Sequence, residues 1–169
     1  MSTLADSISI SEQLTDCLLG ASDLDEILSI EDAVYSHPWT RGNFLHTFAG
    51  DYEALGLRTA NGVLVAYFVL MPVLEELHLL TFAVHPEHQG RGYAHYLLQK
   101  MIVLAQSKRY QSILLEVRIS NLRAWHVYQR FGFTEIGRRK GYYPVDHLHR
   151  EDAIVMRIAV ADSNLPTDN

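Results

Sequence analysis

One cysteine in 169 residues excludes an internal disulfide and a thiol metal cluster, because Cys17 has no second thiol to pair with. The composition suits a reducing compartment, and the core must hold by packing. Long apolar runs are equally scarce. The longest, VLVAYFVLMPVL from Val63 to Leu74, contains Pro72 and falls well short of the about 20 residues a membrane helix needs. Ahead of Cys17 stand Asp6, Glu12 and Asp16, with no basic patch leading into an apolar stretch, so no secretory signal is expected. Basic side chains are the minority, 14 against 20 acidic, for a formal charge of -6. That sign disfavours direct nucleic-acid binding and mildly favours a basic partner. No repeat of about 20 to 50 residues is present. The expectation is a soluble, cytoplasmic protein with one domain over residues 1–160 and a polar tail, ADSNLPTDN, at 161–169.

Ser22 and Asp25 have capping-box spacing ahead of a helix carrying Leu24, Ile27, Leu28 and Val34 on one side, which the segment SHPW ends. A short helix follows from Thr40, its cap, to about Ala49. Asn61-Gly62 sits between YEALGLRTA and VLVAYFVLM, predicting two antiparallel strands over residues 52–72. A third strand spans 76–84. Beyond it Ala94, Leu97, Leu98, Met101 and Ala105 mark one face of a helix that opens just past a glycine pair. SILLEV is a further strand and NLRAWHVYQRF a further helix. FTEIG, a charged aromatic loop and the strand EDAIVMRIAV complete the chain. Strands that first pair locally and then alternate with helices predict an α/β (α+β) protein, a mixed sheet covered by helices.

QGRGYA, between strand and helix, is the first stretch with chemistry. The opening N–H groups of a helix have no intrahelical acceptor and carry the positive end of its dipole, so they attract anions. Gly90 and Gly92 lack the Cβ atoms that keep a phosphate off the backbone, although glycines also simply close tight turns. Tyr93 and Ala94 stand where a nucleoside-triphosphatase loop has Lys and Ser or Thr. A dinucleotide fingerprint needs three spaced glycines, and only two are present, even though Glu116 lies near the distance of its acidic residue.

Taken in order, LLTFAVHPEHQGRGYAHYLL, LLEVRISN, VYQRFGF and GYYP with REDAIVM resemble the GNAT family of acetyl-CoA-dependent N-acetyltransferases, over residues 22–158. Within it the likeness is to the branch that acetylates the N-terminal alanine of a small-subunit ribosomal protein, with HPW and REDAIVM strengthening that match. The resemblance implies a mostly antiparallel sheet, helices on both faces and a splayed parallel strand pair. It implies that the backbone of Phe82, Ala83 and Val84 meets the thioester and pantetheine arm. Gly90, Arg91, Gly92, Tyr93, Ala94 and His95 would wrap the pyrophosphate, and Asn121 would hydrogen-bond the cofactor, or else simply cap its helix.

By the same resemblance Glu116 is the proton acceptor and Tyr128 the proton donor. An ammonium must lose a proton before it attacks a thioester, and the departing thiolate must regain one. Read without the family, Glu116 is either a desolvated base on the strand face it shares with Leu114 or an exposed carboxylate near Arg118, and Tyr128 a core aromatic with a polar tip. An α-amine, with a pKa of about 7.7 to 8.0, suits a modest carboxylate base better than a lysine amine near 10.4. Tyr142 and Tyr143, in the charged aromatic loop, are candidate walls for the first residues of a peptide. The implied partner is a basic ribosomal-protein N-terminus, without direct nucleic-acid binding, and no feature fixes the oligomeric state. Alternative acceptors are a lysine side chain, a polyamine or another small amine. A non-catalytic coenzyme A-sensing module is the alternative of another class, and having both Glu116 and Tyr128 argues against it. Three features depart from the family pattern: extra residues before the region of likeness, Gly90 at a turn position often larger and polar, and Trp125 where a smaller aliphatic is commoner.

No metal is expected. His85 with His88 and His147 with His149 lack a third ligand or a helical i, i+4 placement, and His126 falls out of phase with the apolar side of its helix.

Overall fold

The computed structural model describes residues 13–161, so Asp6, Glu12 and the tail from residue 162 onward lie outside the described residues. Seven strands form one sheet: β1 (Thr15–Leu18), β2 (Glu53–Arg58), β3 (Leu64–Val73), β4 (Glu76–Val84), β5 (Ser112–Arg118), β6 (Thr134–Pro144) and β7 (Arg150–Ala159). Their order is β1-β2-β3-β4-β5-β7-β6. The helices are α1 (Leu24–Val34), α2 (Arg41–Phe48), α3 (Tyr93–Ser107) and α4 (Leu122–Phe131). The sheet is mixed and mostly antiparallel, as expected, with β4 and β5 as its parallel pair. Their register runs from Glu76↔Ser112 to Leu79↔Leu115, while β4 continues to Val84 and β5 to Arg118.

The described residues fall into two compact units. The first joins the chain up to Val69 with Thr81–Leu97. In it β3 is buried on both faces from Leu64 to Val69, which suits its unbroken apolar run. The loop after β2 turns at Gly62, whose φ of +81° suits glycine, and Gly62 N–H donates to the Thr59 carbonyl at 2.9 Å. Thr40 caps α2 as expected: its Oγ1 accepts from Asn43 N–H, and Asn43 Oδ1 accepts from Thr40 N–H at 3.0 Å.

The start of α1 differs from the sequence reading. A 3-10 turn over Ala21–Asp23 brings the chain in earlier, so Asp23 accepts from Gly20 N–H at 2.9 Å, and Asp25 pairs with Arg41 instead of capping. β1 was not foreseen. Its four residues, TDCL, show no alternation and become a strand by antiparallel pairing with β2, from Thr15↔Arg58 to Leu18↔Leu55. Asp16 on β1 accepts from the Tyr96 hydroxyl of α3 at 2.9 Å.

The second unit joins Leu70–Leu80 with the chain from Leu98 onward. β5 alternates: Ile113, Leu115 and Val117 are buried, and Leu114, Glu116 and Arg118 share the half-buried face. β7 pairs with β5 along its length, from Ser112↔Ala159 to Arg118↔Ala153. The stretch expected as a charged aromatic loop is instead mostly strand, because β6 extends to Pro144 through two register shifts against β7. Gly141, at φ +58°, lies inside the second shift, after which Tyr143 pairs with Glu151. Only Val145–His149 remain a loop.

Gly56 in β2 is closely packed, leaving no room for a side chain. A Cβ there would come within 2.6 Å of Leu64 Cδ1 and 3.1 Å of Leu19 Cδ1. Gly56→Ala is therefore expected to lower stability by about 1–3 kcal/mol in urea unfolding. Gly137→Ala, where nothing lies within 4 Å of the added carbon, is expected to stay close to the parent.

Candidate active site

The first unit holds the strand end and the glycine turn. Phe82, Ala83 and Val84 are buried. The Phe82 carbonyl accepts from the Tyr35 hydroxyl, and the Val84 carbonyl accepts from the Gln89 side chain at 3.1 Å. Both carbonyls are thus engaged within the protein. Gly90 and Gly92 have φ of +77° and +84°, and a Cβ on either would meet nothing within 4 Å. The space beside the backbone is open where an anion would sit, and α3 begins at Tyr93 with its dipole aimed at the turn. Arg91 and His95 are exposed, Tyr93 is buried and Ala94 half-buried. The His88 ring stacks near Tyr93, 6.5 Å between centroids, and its buried Nδ1 has no hydrogen-bond partner. The turn therefore fits a phosphorylated ligand on two counts, an open cradle and an orphaned polar atom.

The second unit gathers the residues predicted for proton transfer and peptide contact. Glu116 reaches out from β5 with its side chain 25% exposed, and Arg139 Nε lies 3.2 Å from its Oε1. The sequence pointed to Arg118 as its charged neighbour. Arg118 shares that face of β5 but instead pairs with Glu151 at 3.0 Å and lies over the Tyr143 ring at 4.5 Å. The Tyr143 hydroxyl donates to the Glu116 carbonyl at 3.2 Å, and Tyr142 hydrogen-bonds the Glu116 side chain. Tyr142 and Tyr143 meet edge to face at 4.9 Å.

Tyr128, on α4, is only 8% exposed and packs edge-on against Phe133 at 5.7 Å. Burial, and then the neighbouring Tyr143, raise its pKa above the ordinary phenol value. Tyr143 is also raised, by burial first and then by the Glu116 charge, with Arg118 and Arg139 pulling the other way. Tyr142 follows the same pattern, burial ahead of Glu116. All three phenols hold their protons at neutral pH and serve as hydrogen-bond donors. Asn121 caps α4 by accepting from Ala124 N–H at 3.2 Å, so its amide nitrogen is the part left for a ligand. Trp125 Nε1 is buried without a partner.

In the sequence REDAIVM carries only a family likeness, and the structure gives three of its residues a task. Arg150 donates to the carbonyls of Gly141 at 2.6 Å and Tyr142 at 2.8 Å. Glu151 accepts from Arg118 and, at 2.9 Å, from Ser120. Asp152 accepts from Gly141 N–H at 2.9 Å. Together they pin the bulged part of β6 that carries the tyrosine pair. Arg139 was also missed, since a basic run on a sheet edge reads as solvated surface. His149 Nδ1 lies 2.8 Å from Asp146, His126 is exposed as expected, and no cluster of three potential metal ligands occurs among the described residues.

Residues 24–133 match the Acetyltransferase (GNAT) family. The chain is 34% identical over 136 residues to the [ribosomal protein bS18]-alanine N-acetyltransferase of Haemophilus ducreyi, covering 80% of this chain and 93% of that one. It is 33% identical over 143 residues to the enzyme of the same description from Escherichia coli K12, covering 85% and 95%. The crystal structure of the Escherichia coli ribosomal-protein-S18-alanine N-acetyltransferase superposes with a TM-score of 0.81 at 33% identity, over 90% of this chain and 99% of that one. Arabidopsis thaliana NAA60 in complex with acetyl-CoA shares the fold, with a TM-score of 0.77 at 16% identity over 88% and 99%.

The Glu151 brace has a pH signature. Burial pushes its carboxyl up, but the bonds from Arg118 and Ser120 outweigh that and leave its pKa below the ordinary 4.5. A carboxyl lowered on folding stabilises the fold above its unfolded pKa, and that contribution disappears as pH falls through the folded value. Urea unfolding of Glu151→Gln should show a loss of about 1–3 kcal/mol at pH 7. The difference from the parent should shrink as pH is lowered past about 4.5.

Proposed function

The chain belongs to the GNAT family of acetyltransferases, and from that premise we propose that it acetylates the N-terminal alanine of the ribosomal protein bS18, in the cytoplasm, as one catalytic domain over residues 1–160. That it is an acetyl-CoA-dependent N-acetyltransferase follows from the family and the relatives; the acceptor and the residue roles are the proposal. The observation that carries it is the cluster on the second unit, where one carboxylate on β5 is ringed by phenols that keep their protons.

Gly90, Arg91, Gly92, Tyr93, Ala94 and His95 receive the pyrophosphate, and the N–H groups of Phe82, Ala83 and Val84 receive the pantetheine and thioester carbonyl. The amide nitrogen of Asn121 adds a cofactor contact. Acetyl-CoA supplies the activated acetyl group. Glu116 accepts a proton from the incoming α-ammonium, directly or through a water, which frees the lone pair for attack on the carbonyl carbon. As the new C–N bond forms and the C–S bond breaks, Tyr128 donates a hydrogen bond to the departing sulfur. With a pKa above that of a thiol, Tyr128 stabilises the developing thiolate more readily than it protonates it outright. The second proton lost by the amine ends on sulfur or in solvent.

Arg139 is 54% exposed and holds Glu116 as a cation until the substrate ammonium takes its place. Tyr142 and Tyr143 then wall the first peptide residues. An acidic chain of formal charge -6 suits a basic ribosomal-protein N-terminus.

Two peptides test the acceptor: one copying the bS18 N-terminus, the other the same sequence with a blocked α-amine and an internal lysine. Label from acetyl-CoA is expected on the first only; label confined to the blocked peptide would reverse the assignment. Glu116→Gln and Tyr128→Phe should each cut kcat by about 10²–10⁴ while acetyl-CoA binding, measured by calorimetry, stays near the parent's. Gly92→Ala should behave oppositely, folding with a small strain penalty while its acetyl-CoA affinity drops at least about tenfold.

A further inference from the structure

Glu31 has no place in the chemistry above, yet it is the most deeply buried carboxylate among the described residues, at 2% exposure. Its position on α1 faces the core beside Ile27 and Ile30. An ionisable group in such a place is stable only if it is fully partnered. The two oxygens divide their partners. Oε1 accepts from Trp39 N–H at 3.1 Å, in the linker that follows α1. Oε2 accepts from the Tyr67 hydroxyl on β3 and from the Thr81 hydroxyl on β4, the latter at 2.8 Å. Burial raises the pKa of both Glu31 and Tyr67. One residue beyond Thr81, the Phe82 carbonyl accepts from the hydroxyl of Tyr35, which lies one residue past the end of α1.

We infer that Glu31 is a positioning residue for acetyl-CoA, fixing the Phe82–Val84 segment through Thr81 and Tyr67 while the same carboxylate holds the linker at Trp39. The inference rests on the reading that this segment receives the thioester. Two independent hydroxyl contacts, Thr81 on Glu31 and Tyr35 on Phe82, pin adjacent residues of β4 to α1 and its end. A strand needs no such ties to stay in a sheet, since the ladder already holds it. What they add is a fixed height and orientation for the backbone N–H groups that a thioester carbonyl would meet, and errors on the order of 1 Å in such groups are costly.

The carboxylate is specifically required. Three donors converge on two acceptor oxygens. An amide offers one acceptor oxygen and an NH₂ group with two donors, so in Glu31→Gln either Trp39 N–H or the Tyr67 and Thr81 hydroxyls face that NH₂.

The test is steady-state kinetics on folded Glu31→Gln, Thr81→Val, Thr81→Ser and Tyr35→Phe, varying acetyl-CoA and the bS18-like peptide separately, with acetyl-CoA calorimetry on each. Thr81→Val and Tyr35→Phe are expected to raise the KM for acetyl-CoA by at least about fivefold with a smaller change in peptide KM. Thr81→Ser, which keeps the hydroxyl, should return to within about twofold of the parent. Glu31→Gln should likewise raise the KM for acetyl-CoA, with a smaller change in peptide KM. A role confined to stability would lower the folded fraction and leave the KM of folded molecules unchanged, and that result overturns the inference. If Glu31→Gln does not fold, Thr81→Val and Tyr35→Phe decide alone. A parent protein that binds no acetyl-CoA brings down the underlying reading, and this inference with it; a parent that binds normally while the variants match it brings down this inference only.

Discussion

A carboxylate removed from water must be met by donors on every side, and Glu31 meets that demand by drawing three segments of the first unit onto one side chain. α1 contributes the group, β3 and β4 contribute hydroxyls, and the linker at Trp39 contributes a backbone N–H. Non-directional packing among Leu24, Ile27, Ile30 and Tyr67 would bring the same elements together, but it tolerates small slides. The polar cluster does not, since moving β4 by a fraction of a hydrogen-bond length breaks contacts that nothing else can replace. The end of β4 leads directly into the glycine turn and the first turn of α3.

The second unit uses charge differently. Around Glu116 the contacts are partly solvated, and the guanidinium that holds it is more than half exposed. Such a pair contributes little to stability, which under the proposed mechanism leaves Arg139 exchangeable for an incoming ammonium. Rigidity comes from behind, where Arg150, Glu151 and Asp152 fasten the bulged strand through main-chain atoms of Gly141 and Tyr142 and through Arg118. The phenols above that brace keep their protons because burial and a nearby carboxylate both oppose ionisation.

Much of this was legible in the residues. The hairpin at Asn61-Gly62, the cap at Thr40 and the helix after the glycine pair follow from local rules and the parallel strand pair from resemblance, and the structure has each of them. The acid and base were named from resemblance, since nothing local separates Glu116 from an ordinary surface carboxylate or Tyr128 from a core aromatic. β1 escaped because pairing, and not its own pattern, makes TDCL a strand. The tyrosine segment was read as loop because its glycines and charges look like one, whereas a register shift lets the ladder resume beyond them. Glu31 sits four residues after Ile27 and seven after Leu24, in phase with the apolar side of α1, a placement that goes unread because an acid in a helix rich in acids ordinarily faces water.

The sequence by itself determined the order of elements, the anion-seeking turn and the family, because these depend on periodicity, backbone freedom and motifs carried by neighbouring residues. Only the tertiary structure decided which charges meet. Arg139 rather than Arg118 faces Glu116, Asp25 pairs with Arg41 rather than capping α1, and Glu31 collects partners from positions 39, 67 and 81. Those choices depend on strand register and on contacts between residues far apart in the chain, and a linear pattern carries no record of either.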